Sequence, residues 1–131
     1  MLSYRKSISV DKIMSDILNR LFFAGFVRLH VLYHAAQEPI CGVEIMAELG
    51  RHGYRLSPGT VYPVLHELER AGYLTSSAQV VSGKHRRYYA ATAEGRIALK
   101  AAREKLRELA VEVLEPSSAG RPAPRPKRAR R

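Results

Sequence analysis

Residues 57–72, S-P-G-T-V-Y-P-V-L-H-E-L-E-R-A-G, restrict the fold more than any other stretch, because they specify a helix with both ends marked and two unlike sides. Ser57 is a good N-cap, since its hydroxyl can accept one of the backbone N–H bonds left open at a helix start. Pro58 suits the first helical position, where a missing N–H costs nothing, and Gly72 marks the stop. At about 100° per residue, Val61, Leu65 and Leu68 fall on one side with Val64 at its edge, while Gly59, Tyr62, His66 and Arg70 fall on the other. Such a helix needs a support for its apolar side and leaves the other side free. Pro63 is the anomaly: inside a helix it removes one hydrogen bond and crowds the preceding turn, at about 3 kcal/mol in an unadapted helix, so a bent or tightened first turn is expected.

The flanking segments supply the support. From Val10 onward, Ile13, Ile17, Leu18, Leu21 and Phe22 recur at helical spacing, with Asp11 placed to favour the helix start through its charge. Gly25 is expected to kink or divide this helix from Phe26–Ala36, which is apolar on most sides; Phe22, Phe23, Phe26, Leu29 and Leu32 are read as packing. Pro39 closes the segment. Residues 42–52 form a third, short helix with Ile45, Met46 and Leu49 inward and Glu44, Glu48 and Arg51 outward, and Gly53 permits a turn. A short helix, a turn and a capped second helix make a helix-turn-helix, a spacing that is common among helical proteins when it stands alone.

The segment after the capped helix makes the pattern more specific. Residues 73–81 and 86–91 favour strands and flank the turn pair Ser82-Gly83, which predicts a hairpin directly after that helix, with Lys84, His85, Arg86 and Arg87 near its tip. A helix-turn-helix followed by a basic hairpin is a winged helix, so the fold class is mainly α with a two-stranded β-wing. Thr92 can cap a last helix reaching about Leu114, in which Leu99, Ala102, Leu106, Leu109 and Val113 step by 3, 4, 3 and 4, the apolar seam of a coiled coil. The seam spans two heptads, and packing onto its own domain is the alternative. Pro116 ends the helix, and the Pro-, Ala- and Arg-rich residues 116–131 cannot bury a core and are expected to be disordered. The boundaries drawn are 1–24 for an N-terminal extension, 25–91 for the winged helix, 92–115 for a C-terminal helix and 116–131 for a basic tail.

Six of the net ten positive charges lie in residues 116–131, which leaves residues 1–115 at only +4. Nucleic acid is the leading partner class on this balance, although the total alone does not establish it. The single cysteine, Cys41, excludes an internal disulfide and a multi-cysteine zinc site and fits a reducing, cytoplasmic setting; it is read as inert packing rather than a redox sensor. The apolar run from Leu21 to Leu32 is broken by Arg28 and His30 and is shorter than the roughly 20 residues of a membrane span, and no signal-peptide pattern is present. The five histidines are scattered. His30 and His34 lie one turn apart without a third ligand at convincing spacing, so no metal, cofactor or catalytic constellation is assigned and an enzyme is not expected.

Three stretches carry a resemblance: P-I-C-G-V-E-I at 39–45, L-S-P-G-T-V-Y-P-V-L-H-E-L-E-R-A-G-Y-L at 56–74 and R-Y-Y-A-A-T-A-E-G at 87–95. Over about residues 25 to 115 the chain resembles the PadR family of bacterial winged-helix transcriptional regulators, most specifically in the G-T-x-Y-P-x-L core. Val43 stands where that family commonly has an aromatic residue, and the single C-terminal helix is similar to the short-tailed subgroup. The resemblance implies a homodimer whose last helix crosses onto the partner, two winged helices presented to a pseudo-palindromic operator, and repression in most members. It makes the C-terminal helix a candidate for dimerisation through Leu99, Ala102, Leu106, Leu109 and Val113; the helix in 10–24 is an addition that the shortest members lack, and its amphipathic pattern makes it a candidate to enlarge that interface.

In the major groove, the first turn of the 57–72 helix would bring Ser57 and Thr60 to phosphates or bases, with Gly59 allowing close approach and Tyr62 and His66 beyond it. Tyr62 is equally readable as a half-buried ring bracing the turn. No arginine or lysine precedes Arg70 in this helix, so bidentate guanine readout from its first turns is excluded. Affinity is therefore expected from the backbone and from Lys84, His85, Arg86 and Arg87, with sequence read partly through DNA shape. Strand alternation turns either Arg86 with Tyr88 or Arg87 with Tyr89 outward. The partners predicted are double-stranded DNA, a second copy of the chain and an unidentified small-molecule effector in an apolar cavity near Phe22, Phe23, Phe26, Leu106 or Leu109, with no membrane; the location predicted is the cytoplasm, at the nucleoid. The alternative is a winged-helix protein-interaction module without sequence-specific DNA binding.

Overall fold

The computed structural model describes residues 16–114. The expected loose N-terminus, the first turns of the N-terminal helix and the basic tail lie outside the described residues. The element order is α1 (Ile17–Gln37), β1 (Ile40–Cys41), α2 (Gly42–Arg51), α3 (Pro58–Arg70), β2 (Leu74–Val81), β3 (Lys84–Ala91) and α4 (Ala93–Leu114). The chain forms two compact units divided within α4, one ending at Leu99 and the other beginning at Lys100.

Helix α1 runs straight through Gly25, so the expected division there does not occur. Gly25 is exposed with nothing packed near it, and one glycine weakens a helix by about 1 kcal/mol without breaking its hydrogen-bond ladder. The second half of α1 enters the core through Val27, Val31, Leu32 and Ala35, and from the first half Phe23 packs against it. Ile17, Leu18, Leu21 and Phe22 remain 62, 71, 65 and 59% exposed, which corrects the reading of Phe22 as packing: it lies outward, stacked on Phe26 at 5.8 Å. Glu38 ends the helix in an extended conformation, as a residue before proline must.

The sheet has three antiparallel strands in the order β1-β3-β2, one more than expected. The extra strand is Ile40–Cys41, paired with Tyr89 and Tyr88; two residues are too few to show a period in the sequence. The hairpin β2–β3 closes through Ser82 and Gly83, both at positive φ (52° and 77°), the geometry of a two-residue turn whose twist matches the strands. Helix α2 begins with a reciprocal cap. Cys41 takes the N-cap place, its sulfur meets the backbone N–H of Glu44, and its own N–H donates to Glu44 Oε1 at 3.1 Å.

Helix α3 packs Val61, Val64, Leu65 and Leu68 against Ile45 and Leu49 of α2 and the buried half of α1, with Leu74, Tyr89 and Leu99 completing the core. It stops as glycine-terminated helices do: Gly72 at φ 88° lets its own N–H reach Glu69 O at 2.9 Å and that of Tyr73 reach Leu68 O at 2.9 Å. Thr92 caps α4 as expected, accepting the Gly95 N–H at 3.0 Å while its hydroxyl donates to Gly72 O at 2.6 Å. This brings the start of α4 onto the turn between α3 and β2 so closely that a Cβ at Gly95 would lie inside the carbonyl group of Tyr73, 3.0 Å from its carbon and nearer to its oxygen.

Helix propensity favours alanine over glycine by about 1 kcal/mol, but at Gly95 the obstacle is backbone that already accepts the Thr92 N–H at 3.0 Å. Gly95→Ala is therefore expected to destabilise by about 1–3 kcal/mol, read as a lower urea midpoint at unchanged slope. A higher midpoint would show that α4 and the turn separate without penalty.

Candidate nucleic-acid interface

Ser57, Gly59, Thr60 and His66 all lie on the exposed side of α3. Ser57 occupies the N-cap place but not in the expected way. Its hydroxyl makes no capping bond and turns to Thr60 Oγ1 at 3.5 Å, while its carbonyl accepts the N–H groups of Thr60 (2.9 Å) and Val61 (3.0 Å). The first turn is thus tightened by an i→i−3 bond, and α3 continues unbroken through Pro63. Pro63 has no N–H for the Gly59 carbonyl, and the exposed turn before it presents two hydroxyls.

Tyr62 is half-buried and braces the motif. Its ring lies over Gly42, where a Cβ would come within 2.7 Å of Cε1 and closer still to the phenol end, so the α2–α3 contact is built on a glycine under a tyrosine. The ring centroid of His66 lies 6.5 Å away on the open side. A second brace reaches α3 from α1: Arg28 grips Glu67 in a bidentate pair, Nε to Oε2 at 3.1 Å and Nη2 to Oε1 at 2.7 Å, with Nη1 on Ala24 O at 3.0 Å. This pair, 39 residues apart, has no signature in the sequence.

The wing separates cations that looked equivalent in the sequence. Tyr89 is 1% exposed and belongs to the core, so alternation along β3 puts Arg87 and His85 on its side and Arg86, Tyr88 and Lys84 on the other. Arg87 Nη1 donates to Ser76 Oγ at 3.1 Å, and that hydroxyl donates to Glu69 Oε2 at 2.8 Å, which ties the exposed guanidinium to the last turn of α3. Arg86 is half-buried on the opposite face, with Nη1 3.6 Å from Cys41 Sγ. Burial, then the neighbouring Cys41 and Glu44, holds the Tyr88 phenol above its ordinary value. Lys84 and His85 are exposed at the tip. Arg55, a cation that the sequence patterns do not single out, is exposed in the turn immediately before α3.

Residues 31–101 match the transcriptional regulator PadR-like family. The chain belongs to that family. It is 54% identical over 95 residues to the transcriptional regulator Rv3488 of Mycobacterium tuberculosis, covering 72% of this chain and 89% of the relative. Among solved structures it is similar to a PadR family regulator from Eggerthella lenta (TM-score 0.65, 31% identity, 79% of this chain and 90% of that one). A PadR-like transcription factor from Bacteroides fragilis shares the fold (TM-score 0.66, 23% identity, 76% and 97% covered). Regulators of this family bind DNA. Among the described residues no helix is long and apolar enough to cross a membrane, and no group of three or more His, Cys, Asp or Glu is placed to hold a metal ion.

The seam expected along α4 divides. Leu99 is 8% exposed, buried in the core of its own chain, because it closes the unit that contains the wing. Ala102 is half-covered, whereas Leu106, Leu109 and Val113 are 50, 50 and 66% exposed.

The Arg28 guanidinium, by hydrogen bonding first and charge second, holds the Glu67 carboxyl below its ordinary value. A lowered carboxyl pKa means stabilisation that is present above the ordinary glutamate range and is lost as pH falls through it. Arg28→Ala is expected to narrow the drop in melting temperature between neutral pH and about pH 4, measured by circular dichroism. An acid limb identical to that of the unaltered chain would show that the pair adds nothing to folding.

Proposed function

We propose that this PadR-family protein is a homodimeric repressor whose paired winged helices bind a pseudo-palindromic operator, acting in the cytoplasm at the nucleoid. The observation that carries this reading is a division of labour around α3. Its exposed first turn offers hydroxyls and a glycine but no cation, while exposed cations flank it, Arg55 ahead of it and Arg87, His85 and Lys84 in the wing. The helix positions and the flanks attract phosphate, and sequence discrimination comes from close backbone approach and DNA shape. Residues 25–91 then act as the DNA-binding part and 92–115 as the dimerisation helix.

Exposed aliphatic side chains support the dimer. Ile17, Leu18, Leu21 and Phe22 on α1, and Leu106, Leu109, Val113 and Leu114 on α4, are 50–75% exposed, more apolar surface than a lone chain ordinarily leaves in water. Repression is inferred from family resemblance and occupancy of the operator.

Selection from a random duplex library at stated salt tests the reading: two copies of one half-site, about one helical turn apart, are expected, and the absence of any enriched half-site would end it. Lys84→Ala, Arg87→Ala and Arg55→Ala should each lower the salt dependence of operator binding by roughly one phosphate contact. Arg86→Ala, at a half-buried guanidinium 3.6 Å from Cys41 Sγ, should change it less than Arg87→Ala. Sedimentation equilibrium should give twice the chain mass, and Leu106→Glu with Leu109→Glu should return it to one.

A further inference from the structure

Three of the five histidines meet at one place outside the DNA-facing elements. His30 and His34 stand one turn apart on α1 with ring centroids 6.1 Å apart, and His52, the residue that ends α2, lies 4.8 Å from His30. The groups facing them are few. Glu48 of α2 lies 3.8 Å from His34 Nε2, and Arg51 of α2 occupies its other oxygen at 3.6 Å. Tyr33 packs edge-on against His34, Phe26 against His30, and Tyr54 of the turn after α2 against Phe26. Among the described residues one carboxylate, already shared with a guanidinium, lies beside His34 and acts on His30.

We infer that the His30–His34–His52 cluster is a proton-responsive latch between α1 and α2, closed when His30 is neutral and loosened when it is charged beside its two neighbours, through which acid weakens DNA binding. His30 lies against both His34 and His52, and among the described residues it has no carboxylate at salt-bridge distance. Burial first, then His52 and His34, holds it below its ordinary value of 6.5, with Glu48 opposing. A lowered histidine pKa gives stability that is intact above the ordinary imidazole range and is lost as pH falls through it.

The cluster is connected to α3 on both sides. His52 leads through a turn, in which Tyr54 N–H bonds to Leu49 O at 3.0 Å, directly to Pro58 at the start of α3. On α1, Arg28 is two residues from His30 and grips Glu67 of α3. Separation of α1 from α2 thus disturbs both supports of α3. The sign is diagnostic. His66 and His85 are exposed on the proposed DNA side, and their protonation alone would strengthen phosphate binding in acid.

The latch rests on the DNA-binding reading only for its readout on DNA. Proton NMR of the imidazoles in the full chain should place the His30 midpoint below its ordinary value of 6.5, and the melting temperature should fall from about pH 7.5 to about pH 5.5. Operator affinity should fall roughly tenfold over the same range. His30→Phe, which keeps the ring against Phe26, and His30→Gln should both flatten these slopes. A His30 midpoint at or above the ordinary value, or slopes unchanged in both variants, would overturn the latch. Stabilisation by Zn2+ at about pH 7.5 that is lost in His30→Gln would overturn it in favour of a metal site. Failure to bind any duplex, with the NMR and melting results as expected, would refute the DNA reading and leave the latch standing.

Discussion

The presentation of α3 depends on the burial of one of its sides. Val61 and Leu65 are 1 and 0% exposed, Val64 and Leu68 5 and 6%, and burial of four such side chains supplies roughly 6–12 kcal/mol of gross driving force. That sum is an upper estimate, since unfolded chains already cover part of their apolar surface. It nevertheless exceeds the about 3 kcal/mol by which an interior proline disfavours a helix, so Pro63 is carried within α3 without a break. Apolar burial alone leaves a helix free to slide and roll. Tyr62 over Gly42 fixes α3 against α2, and the fork of Arg28 on Glu67 fixes it against α1.

The wing inherits its orientation from the same core. Tyr89 is drawn inward by burial, and the two-residue period of a strand then decides where every other β3 side chain points. Arg87 is consequently delivered to the side of α3, where Ser76 and Glu69 hold it. Arg86 is delivered to the other side, against the cysteine that caps α2. Two adjacent arginines thus have different surroundings because one tyrosine is buried.

Local patterns carried most of this architecture in the sequence. The cap-proline-glycine frame of 57–72, the Ser82-Gly83 turn and the Thr92 cap each report on a few neighbouring residues, and each element formed where those signals put it. Long-range contacts left no such mark. The two-residue strand Ile40–Cys41 exists only because β3 is there to pair with it, and Gly95 reads as an ordinary helix glycine until Tyr73 is brought beneath it. Ser57 shows a subtler failure: the residue type favoured a side-chain cap, but Thr60 offers the hydroxyl a competing partner and the backbone carbonyl takes over. For the candidate site, residue types on the exposed face of α3 were readable, whereas the sorting of the wing cations and the Arg28 brace needed the fold.

The apolar period of α4 changes its meaning along the helix. Its first turns belong to the unit that contains the wing, where Leu99 closes the core and Arg96 Nη1 donates to Ala36 O at 3.1 Å. Beyond Lys100 the same 3-4 spacing continues, yet Leu106, Leu109 and Val113 are half or more exposed. Helical periodicity records only that a stripe must be covered, not by which chain. Salt bridges between Lys105 and Glu108 and between Arg107 and Glu104 lie three residues apart on exposed positions and add little to a helix that no core supports. A helix of this length with an uncovered aliphatic stripe gains most by pairing that stripe with another. A second copy of the same chain supplies one of matching period, and the proposed dimer would cover with its partner what the single chain leaves exposed.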